Sequence, residues 1–383
     1  MYFRILASIF LFLGLCPKPT VAQSQFNFSD STRVSLLTCS QGNALYSTFG
    51  HSAVRVYDPL SGMDAVFNWG IFDFATPNFY WKFMRGKLLY QMGGERFTDF
   101  YAEYQYLRRG VVETPMNLPL EAKRKLIKTI ETNYLPENRK YKYDFFFDNC
   151  ATRIRDVVER ALPIQYADTT RTIKPLRRLL DEYLGNLPWS DFGIDLVLGL
   201  PADQMGTFRY EMFLPDYLGK NLPHAQYQGK PITGPEKRLL PADPLPPSKA
   251  PKPIVLMSAI MLIWVGLGFL KNKSFVRILD RLFFVVIGLG GCLMLFLWFA
   301  TDHLATKDNL NVIWANPLYF FALGSLRGKR QYWLWIIGGL CVFTLLFFPF
   351  SPQLLHPAII PILLRSGAGL PFFSAHHTPK PKT

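Results

Sequence analysis

Apolar positions follow two different patterns along the chain, and the change falls near Pro253. Before that point they alternate with polar residues or recur at helical spacing among charges. Val34–Cys39 and Phe49–Tyr57 read as strands, with turns through Gln41-Gly42-Asn43, at Asp58-Pro59 and at Ser61-Gly62. Ala65–Gly70 reads as the returning strand of a hairpin, so His51 and Asn68 fall near the ends of neighbouring strands. Residues 76–110 are aromatic-rich around Arg85-Gly86-Lys87 and predict a packed or lipid-facing segment of mixed structure. Residues 118–134 space their apolar positions as a helix does, and Pro136 stops them. An aromatic strand from Tyr143 then meets Asp148 and Asn149, both N-cap types. Ile154, Val157, Val158, Ala161 and Leu162 carry a helix on to Pro163. A further helix is predicted around Leu176–Leu184, and an apolar patch at Ile194–Leu200.

A Pro-rich stretch reads as a linker between two domains. Beyond it lie apolar blocks near 253–270, 282–300, 311–326, 331–350 and 355–372. Each approaches the ~20 residues that a helix needs to cross a bilayer. The breaks at Lys271/Lys273/Arg277/Arg281 and at Arg327/Lys329/Arg330 are basic, whereas those at Asp302-His303 and Ser351-Pro352 are not. The positive-inside rule therefore puts the basic breaks and the C-terminal tail in the cytoplasm. At the other end Arg4, the apolar run Ile5–Leu15 and Thr20-Val21-Ala22 predict a secretory signal peptide cleaved after Ala22. Leader and loop charges agree on one topology in a bacterial inner (cytoplasmic) membrane, multi-pass, with the N-terminal domain in the periplasm or on the outer face. The expected fold class is α+β followed by an all-α transmembrane domain of about five helices. The expected parts are a signal peptide at 1–22, an exported domain at 23–230, a linker at 231–252, the membrane domain at 253–372 and a cytoplasmic tail at 373–383.

The formal charge of +14 over 383 residues suits either nucleic acid or anionic lipid. With membrane segments present, and without a Lys/Arg run interleaved with aromatics, lipid is the partner expected and nucleic acid is not. The cysteines are Cys16 in the leader, Cys292 and Cys341 in apolar blocks, and Cys39 and Cys150 in the exported part. Their spacing contains no Cys-x-x-Cys pair, and the chain shows neither metal-ligand spacing nor a phosphate-binding Gly-rich loop, so no metal and no cofactor are expected.

Cys150 falls in the first turn of its predicted helix, where free N–H groups and the helix dipole favour a thiolate and could hold an oxyanion. A thiol is ionised near neutral pH by a neighbouring base, and His51 is one of two histidines in the exported part, the other being His224. Asn68 is placed to orient the imidazole. The same residues also fit a bland account. Cys150 suits a buried core position or a disulfide with Cys39 in an oxidising compartment, His51 a satisfied strand histidine, Asn68-Trp69-Gly70 turn chemistry, and Asp148 a cap. His303, Asn309 and Asn311, in the outward loop, fit a headgroup site or a loop with capping residues equally well.

Leu37–Asp58, Phe67–Phe74, Phe83–Leu88, Pro136–Arg139 and above all Tyr143–Asp156, with its Asp148-Asn149-Cys150-Ala151-Thr152-Arg153, resemble the exported domain of the Lnb-like lipoprotein transacylase family. Thr301–Asn311 fits its membrane part. The order of His before an Asn-Cys that opens a helix is also similar to circularly permuted papain-like (NlpC-like) folds such as lecithin:retinol acyltransferase. The resemblance implies Cys150 and His51 as a catalytic dyad with Asn68 as third group, and Arg85, Asn149, Arg153 and His303 as substrate-binding residues. It implies a diacylglyceryl-modified lipoprotein and membrane lipid as partners, with an acyl chain passed through a Cys thioester to the N-terminal amine. Two alternatives stay open: a membrane-anchored Cys-His hydrolase or amidase of the cell envelope, and a noncatalytic envelope scaffold. The acyl position and the oligomeric state are not encoded in these motifs.

Overall fold

The computed structural model describes residues 28–166, 174–268, 273–325 and 332–374. The predicted signal peptide with Cys16, the basic break at Arg327/Lys329/Arg330 and most of the C-terminal tail lie outside the described residues. In chain order the elements are Arg33–Cys39 (β1), His51–Asp58 (β2), Met63–Ile71 (β3), Phe79–Met84 (α1), Leu89–Arg96 (β4), Phe97–Tyr106 (α2), Val111–Pro115 (β5), Leu120–Tyr134 (α3), Lys140–Lys142 (β6) and Cys150–Ala161 (α4). Then come Gln165–Tyr166 (β7), Leu176–Leu184 (α5), Pro188–Val197 (α6), Phe208–Glu211 (α7), Pro215–Asn221 (α8), Ala225–Tyr227 (β8), Lys230–Pro231 (β9) and Lys237–Leu240 (β10). The C-terminal region is helical: Pro253–Gly268 (α9), Lys273–Phe299 (α10), Leu318–Ser325 (α11), Tyr332–Phe347 (α12) and Ile360–Ser374 (α13). The chain is thus α+β, a sheet-bearing N-terminal region followed by a helical one.

Seven strands form one sheet in the order β10-β5-β1-β2-β3-β4-β6, and β7-β8-β9 form a small second one. Every pairing within the large sheet is antiparallel. Because side chains alternate across a strand, each strand feeds two cores. Val34, Leu36, Val54, Val56, Phe67 and Trp69 pack with Leu126 and Ile130 of α3 and with Ile154, Val157 and Val158 of α4. The intervening Leu37, Cys39, Ala53 and Val66 pack with Phe100 and Tyr104 of α2.

Three sequence expectations are corrected. The aromatic run before Cys150 is not a strand: β6 ends at Lys142, and the Asp144 carboxylate accepts the backbone N–H groups of Phe146 and Phe147 at 3.0 Å each, winding the run into a turn. The Pro-rich stretch is not wholly a linker, since Lys237–Leu240 pairs with β5 as the sheet's edge. The second apolar helix starts at Lys273 rather than 282 and carries Asp280 inside it. That charge is tolerated because the Arg365 guanidinium and the Trp264 indole N–H both bond to it.

Two described helices, Phe275–Phe299 and Tyr332–Phe350, are long and apolar enough to cross a membrane, and Pro253–Leu267 and Pro357–Gly367 are shorter apolar ones. The sheet-bearing region sits on this bundle through α6, whose Phe192 joins Phe284, Trp314, Tyr319 and Ala358 in one core. The segment 301–311 is the joint. Asn309 Nδ2 donates to Leu196 O (2.8 Å), Asn311 Nδ2 to Asp195 O (3.2 Å) and Gln353 Nε2 to Leu198 O (3.1 Å). Arg177, 1% exposed, ties the near side together by donating to Asp195 (2.8 Å), to both oxygens of Asp203 (2.8 and 2.9 Å) and to the carbonyls of Leu198 and Gly199. Removing it leaves Asp203 buried without its counter-charge. Arg177→Ala is therefore expected to cost about 3–5 kcal/mol, read as a lowered unfolding midpoint of the detergent-solubilised protein. An unchanged midpoint would show that the network is not structural.

Candidate active site

Local chemistry fixes where Cys150 sits. Asn149 is the N-cap of α4: its Oδ1 accepts the Thr152 N–H at 2.9 Å while Thr152 Oγ1 accepts the Asn149 N–H at 2.7 Å, a reciprocal capping box. Asn149 Nδ2 donates to Phe145 O (2.7 Å) and Phe213 O (2.8 Å), so this side chain is consumed in holding the turn and the helix start rather than left for a ligand. Cys150 becomes the first helical residue. The backbone N–H groups of Ser52 and Ala151 bond to its sulfur.

The other side is built by the hairpin. Gly50, at φ +79°, turns the chain into β2, and a Cβ there would lie 2.7 Å from Cys39 O, so only glycine fits. His51 follows as the first residue of β2, and the register pairs Ala53 with Asn68 of β3. His51 Nε2 hydrogen-bonds Asn68 Oδ1 at 2.9 Å, and the imidazole also bonds to Cys150. The structure therefore brings together Cys150, His51 and Asn68, the three side chains singled out in the sequence. Asn68 in turn donates through Nδ2 to Glu95 Oε1 at 2.7 Å. Glu95 was missed in the sequence because only the β3–β4 register, which sets Val66 opposite Glu95, brings it to Asn68.

Electrostatics separate the two thiols of this region, both of which are free, so the disulfide alternative is not what the structure contains. Burial pushes the Cys39 thiol up to about 12, and its bond to Tyr104 and the nearby Arg109 offset this only in part. Burial also disfavours the Cys150 thiolate, yet here the His51 charge and hydrogen bond, with the two N–H groups, outweigh it and bring the thiol below its ordinary value. His51 shows the reciprocal effect: desolvation opposes its charge, but Cys150 and Asn68 raise it above the ordinary histidine value. The arrangement favours a thiolate–imidazolium pair. Glu95, raised by desolvation, lies at the far end of the chain of bonds. Tyr141 is buried beside this pair, where burial above all keeps its hydroxyl protonated and the Gly70 backbone N–H offsets this only in part.

The remaining residues picked from sequence fall in two places. Arg153 is at the helix start, where it forms a bidentate ion pair with Asp148 and lies 3.9 Å over the Tyr141 ring. Arg85 and His303 meet at the joint with the membrane helices. There Arg85 Nε donates to Ala300 O (3.3 Å), His303 Nε2 bonds to Phe83 O (3.1 Å), and Lys142 pairs with Asp302 at 2.9 Å. A triad of carboxylates, Asp181, Asp191 and Asp195, could in principle ligate a cation. Asp181 and Asp195 pair with Arg178 and Arg177, and Asp191 Oδ2 lies 3.6 Å from His356 Nε2, so each carboxylate already has a neighbour within the fold. A separate cleft lined by Arg33, Arg55, Glu113 and Lys123 contains none of the candidate catalytic groups.

Two family models match the chain: the Lnb N-terminal periplasmic domain over residues 20–182, and the Lnb transmembrane domain over residues 247–368. No curated protein and no solved structure matches it. The first match contains the whole Cys150–His51–Asn68–Glu95 row, and the second contains the apolar helices with the 301–311 joint. With both domains present in this order, the chain belongs to the Lnb family and is a membrane protein with a periplasmic N-terminal domain, of a family that points to lipoprotein processing.

Proposed function

We propose that this protein is a cysteine-dependent acyltransferase that moves an acyl chain from the diacylglyceryl group of a bacterial lipoprotein to that lipoprotein's N-terminal amine. The observation that carries the reading is the bonded row Cys150–His51–Asn68–Glu95, with a thiol lowered and an imidazole raised by each other. The Cys150 thiolate attacks an ester carbonyl of the diacylglyceryl group. The resulting oxyanion is stabilised by the Cys150 backbone N–H at the start of α4 and by the Tyr141 hydroxyl. It collapses by expelling the glyceryl oxygen, which takes its proton from the His51 imidazolium, and leaves an acyl thioester on Cys150. The substrate's α-amine then attacks the thioester, His51 accepts a proton from that nitrogen, and the Cys150 thiolate departs. The products are an N-acyl amide and the lyso form of the glyceryl group, so no water and no external acyl donor are consumed.

In this reading the exported region is a papain-like unit, with the cysteine opening a helix packed on an antiparallel sheet that supplies His51 and Asn68. The membrane region is multi-pass in the inner membrane. Segments 301–311 and 351–356 both contact the sheet-bearing region, as outward loops would, and the basic Arg277 and Arg281 lie toward the opposite end of α10. The test is mass spectrometry of lipoprotein N-terminal peptides from cells with and without this gene product. Loss of N-acylation on deletion, regained with the wild-type chain, is the expected outcome; N-acylation that persists unchanged on deletion would turn the assignment toward a hydrolase.

A further inference from the structure

The aromatic segment after β3 has no role in the chemistry above, yet it is oddly placed for a water-soluble surface. Phe74, Tyr80, Trp81 and Phe83 are 69%, 79%, 51% and 52% exposed and lie close together in the sequence. A contiguous apolar patch of this kind marks an interaction surface. Its neighbours identify the partner. The Trp81 ring is 6.1 Å from that of Phe296, near the outer end of the apolar helix α10, and Arg85 bonds to Ala300 just beyond it. The patch therefore stands level with the outer end of a membrane-crossing helix. Lys82, Arg85 and Lys87 lie within and just after α1, where lipid phosphates would meet them.

From that patch the rings continue inward. Phe79 is 6.4 Å from Phe83 and 5.8 Å from Phe72; Phe72 is 5.3 Å from Tyr90; Tyr90 stacks on Tyr143 at 4.5 Å. Tyr143 borders the thiol. A Cβ placed on Gly70 would touch the Tyr143 ring at 3.6 Å and Cys150 Cβ at 4.0 Å, and Gly70 has φ +91°, so the absence of a side chain there leaves room beside both the ring and Cys150. One unbroken row of aromatic rings in contact thus runs from beside the end of α10 to the neighbourhood of Cys150.

We propose that the Phe72–Met84 segment lies in the outer leaflet and that the row Phe83–Phe79–Phe72–Tyr90–Tyr143 is the track along which a single lipid acyl chain reaches Cys150. The track rests on the reading of Cys150 as the nucleophile and adds to it how the donor chain leaves the bilayer without crossing water. Apolar methylenes on aromatic faces lose nothing in the transfer, whereas a route through solvent would cost ~0.8 kcal/mol per CH2 exposed.

The full-length protein in vesicles of phosphatidylethanolamine and phosphatidylglycerol is treated with N-hexadecylmaleimide or with N-ethylmaleimide, and the Cys150 peptide adduct is quantified by mass spectrometry. In the double variant Phe72→Ser/Phe79→Ser the hexadecyl reagent should modify Cys150 about tenfold more slowly, the loss expected when two apolar contacts with the chain are removed. The N-ethylmaleimide rate should stay within about twofold. Phe72→Leu/Phe79→Leu, which keeps the track apolar, should retain most of the hexadecyl rate. A damaged fold would slow both reagents in the Ser variant, and the single variant Phe79→Ser then decides: a slowed hexadecyl rate beside an unchanged N-ethylmaleimide rate supports the track, and two unchanged rates overturn it. Equal rates of both reagents in all three proteins would overturn it. A wild-type Cys150 inert to N-ethylmaleimide would remove the nucleophile itself, and the track with it.

Discussion

Replacing Cys150 by alanine is expected to abolish acyl transfer, with a loss on the order of 10⁴-fold or more, as for nucleophiles that act within a bonded row. The substitution removes a half-buried sulfur at the first position of α4 while leaving the Asn149–Thr152 capping box intact, so the fold should persist. The measurement uses the full chain in vesicles with a synthetic diacylglyceryl-cysteine peptide, following N-acylation by mass. Wild-type protein given the acyl donor with a blocked amine should accumulate a hydroxylamine-labile acyl group on the Cys150 peptide, and the variant should not. Undiminished transfer by Cys150→Ala would end the thioester mechanism outright.

The second large effect belongs to His51. His51→Gln removes the charge that opposes the desolvation of the Cys150 thiolate. In the wild type the thiol is lowered by the pair, so its thiolate persists below the ordinary cysteine range and alkylation falls only as pH drops through the lower titration of the pair. In the variant desolvation remains and the counter-charge is gone, so the alkylation profile should move to higher pH. Near neutral pH the rate should drop by roughly 10²-fold. Acyl transfer should fall further, about 10³–10⁴-fold, because proton delivery to the glyceryl oxygen and removal from the amine are lost together. Iodoacetamide alkylation of Cys150 followed from pH 5 to 10 separates these effects; an unshifted profile in His51→Gln would mean that the imidazole does not ionise the thiol. Cys39 is the internal control. Its thiol, pushed up to about 12 by burial, should stay unreactive in both proteins.

Much of this site is legible in the residues because it is built from local signals. The helix that Cys150 opens is announced by Asn149 and by the spacing from Ile154 to Leu162, and the capping box is a contact across three residues. His51 and Asn68 are joined by a short hairpin whose turn residues are visible at Asp58-Pro59 and Ser61-Gly62, so their approach follows from two adjacent strands. The apolar blocks after Pro253 are legible for the same reason: the bilayer length requirement acts on consecutive residues.

What the sequence alone determined, then, is where the polar and apolar regions divide, which helix the cysteine begins and which hairpin faces it. The tertiary structure alone decided everything that depends on register or on contact between distant segments. Glu95 joins Asn68 only through the β3–β4 pairing, and Lys237–Leu240 becomes a strand only because β5 offers an open edge. The turn at Asp144–Asp148 replaces a strand because one carboxylate captures two backbone N–H groups, a competition that aromatic β-propensity does not reveal. The 301–311 segment, which reads as a polar loop, is a joint because Asn309 and Asn311 find carbonyls at Leu196 and Asp195, more than a hundred residues away. The aromatic row likewise draws its members from the segment just after β3, α1, β4 and the turn before α4, and leads to the thiol only once the sheet has closed. Periodicity records which face of an element is apolar; which other face it meets is set by the free energy of the whole packed chain.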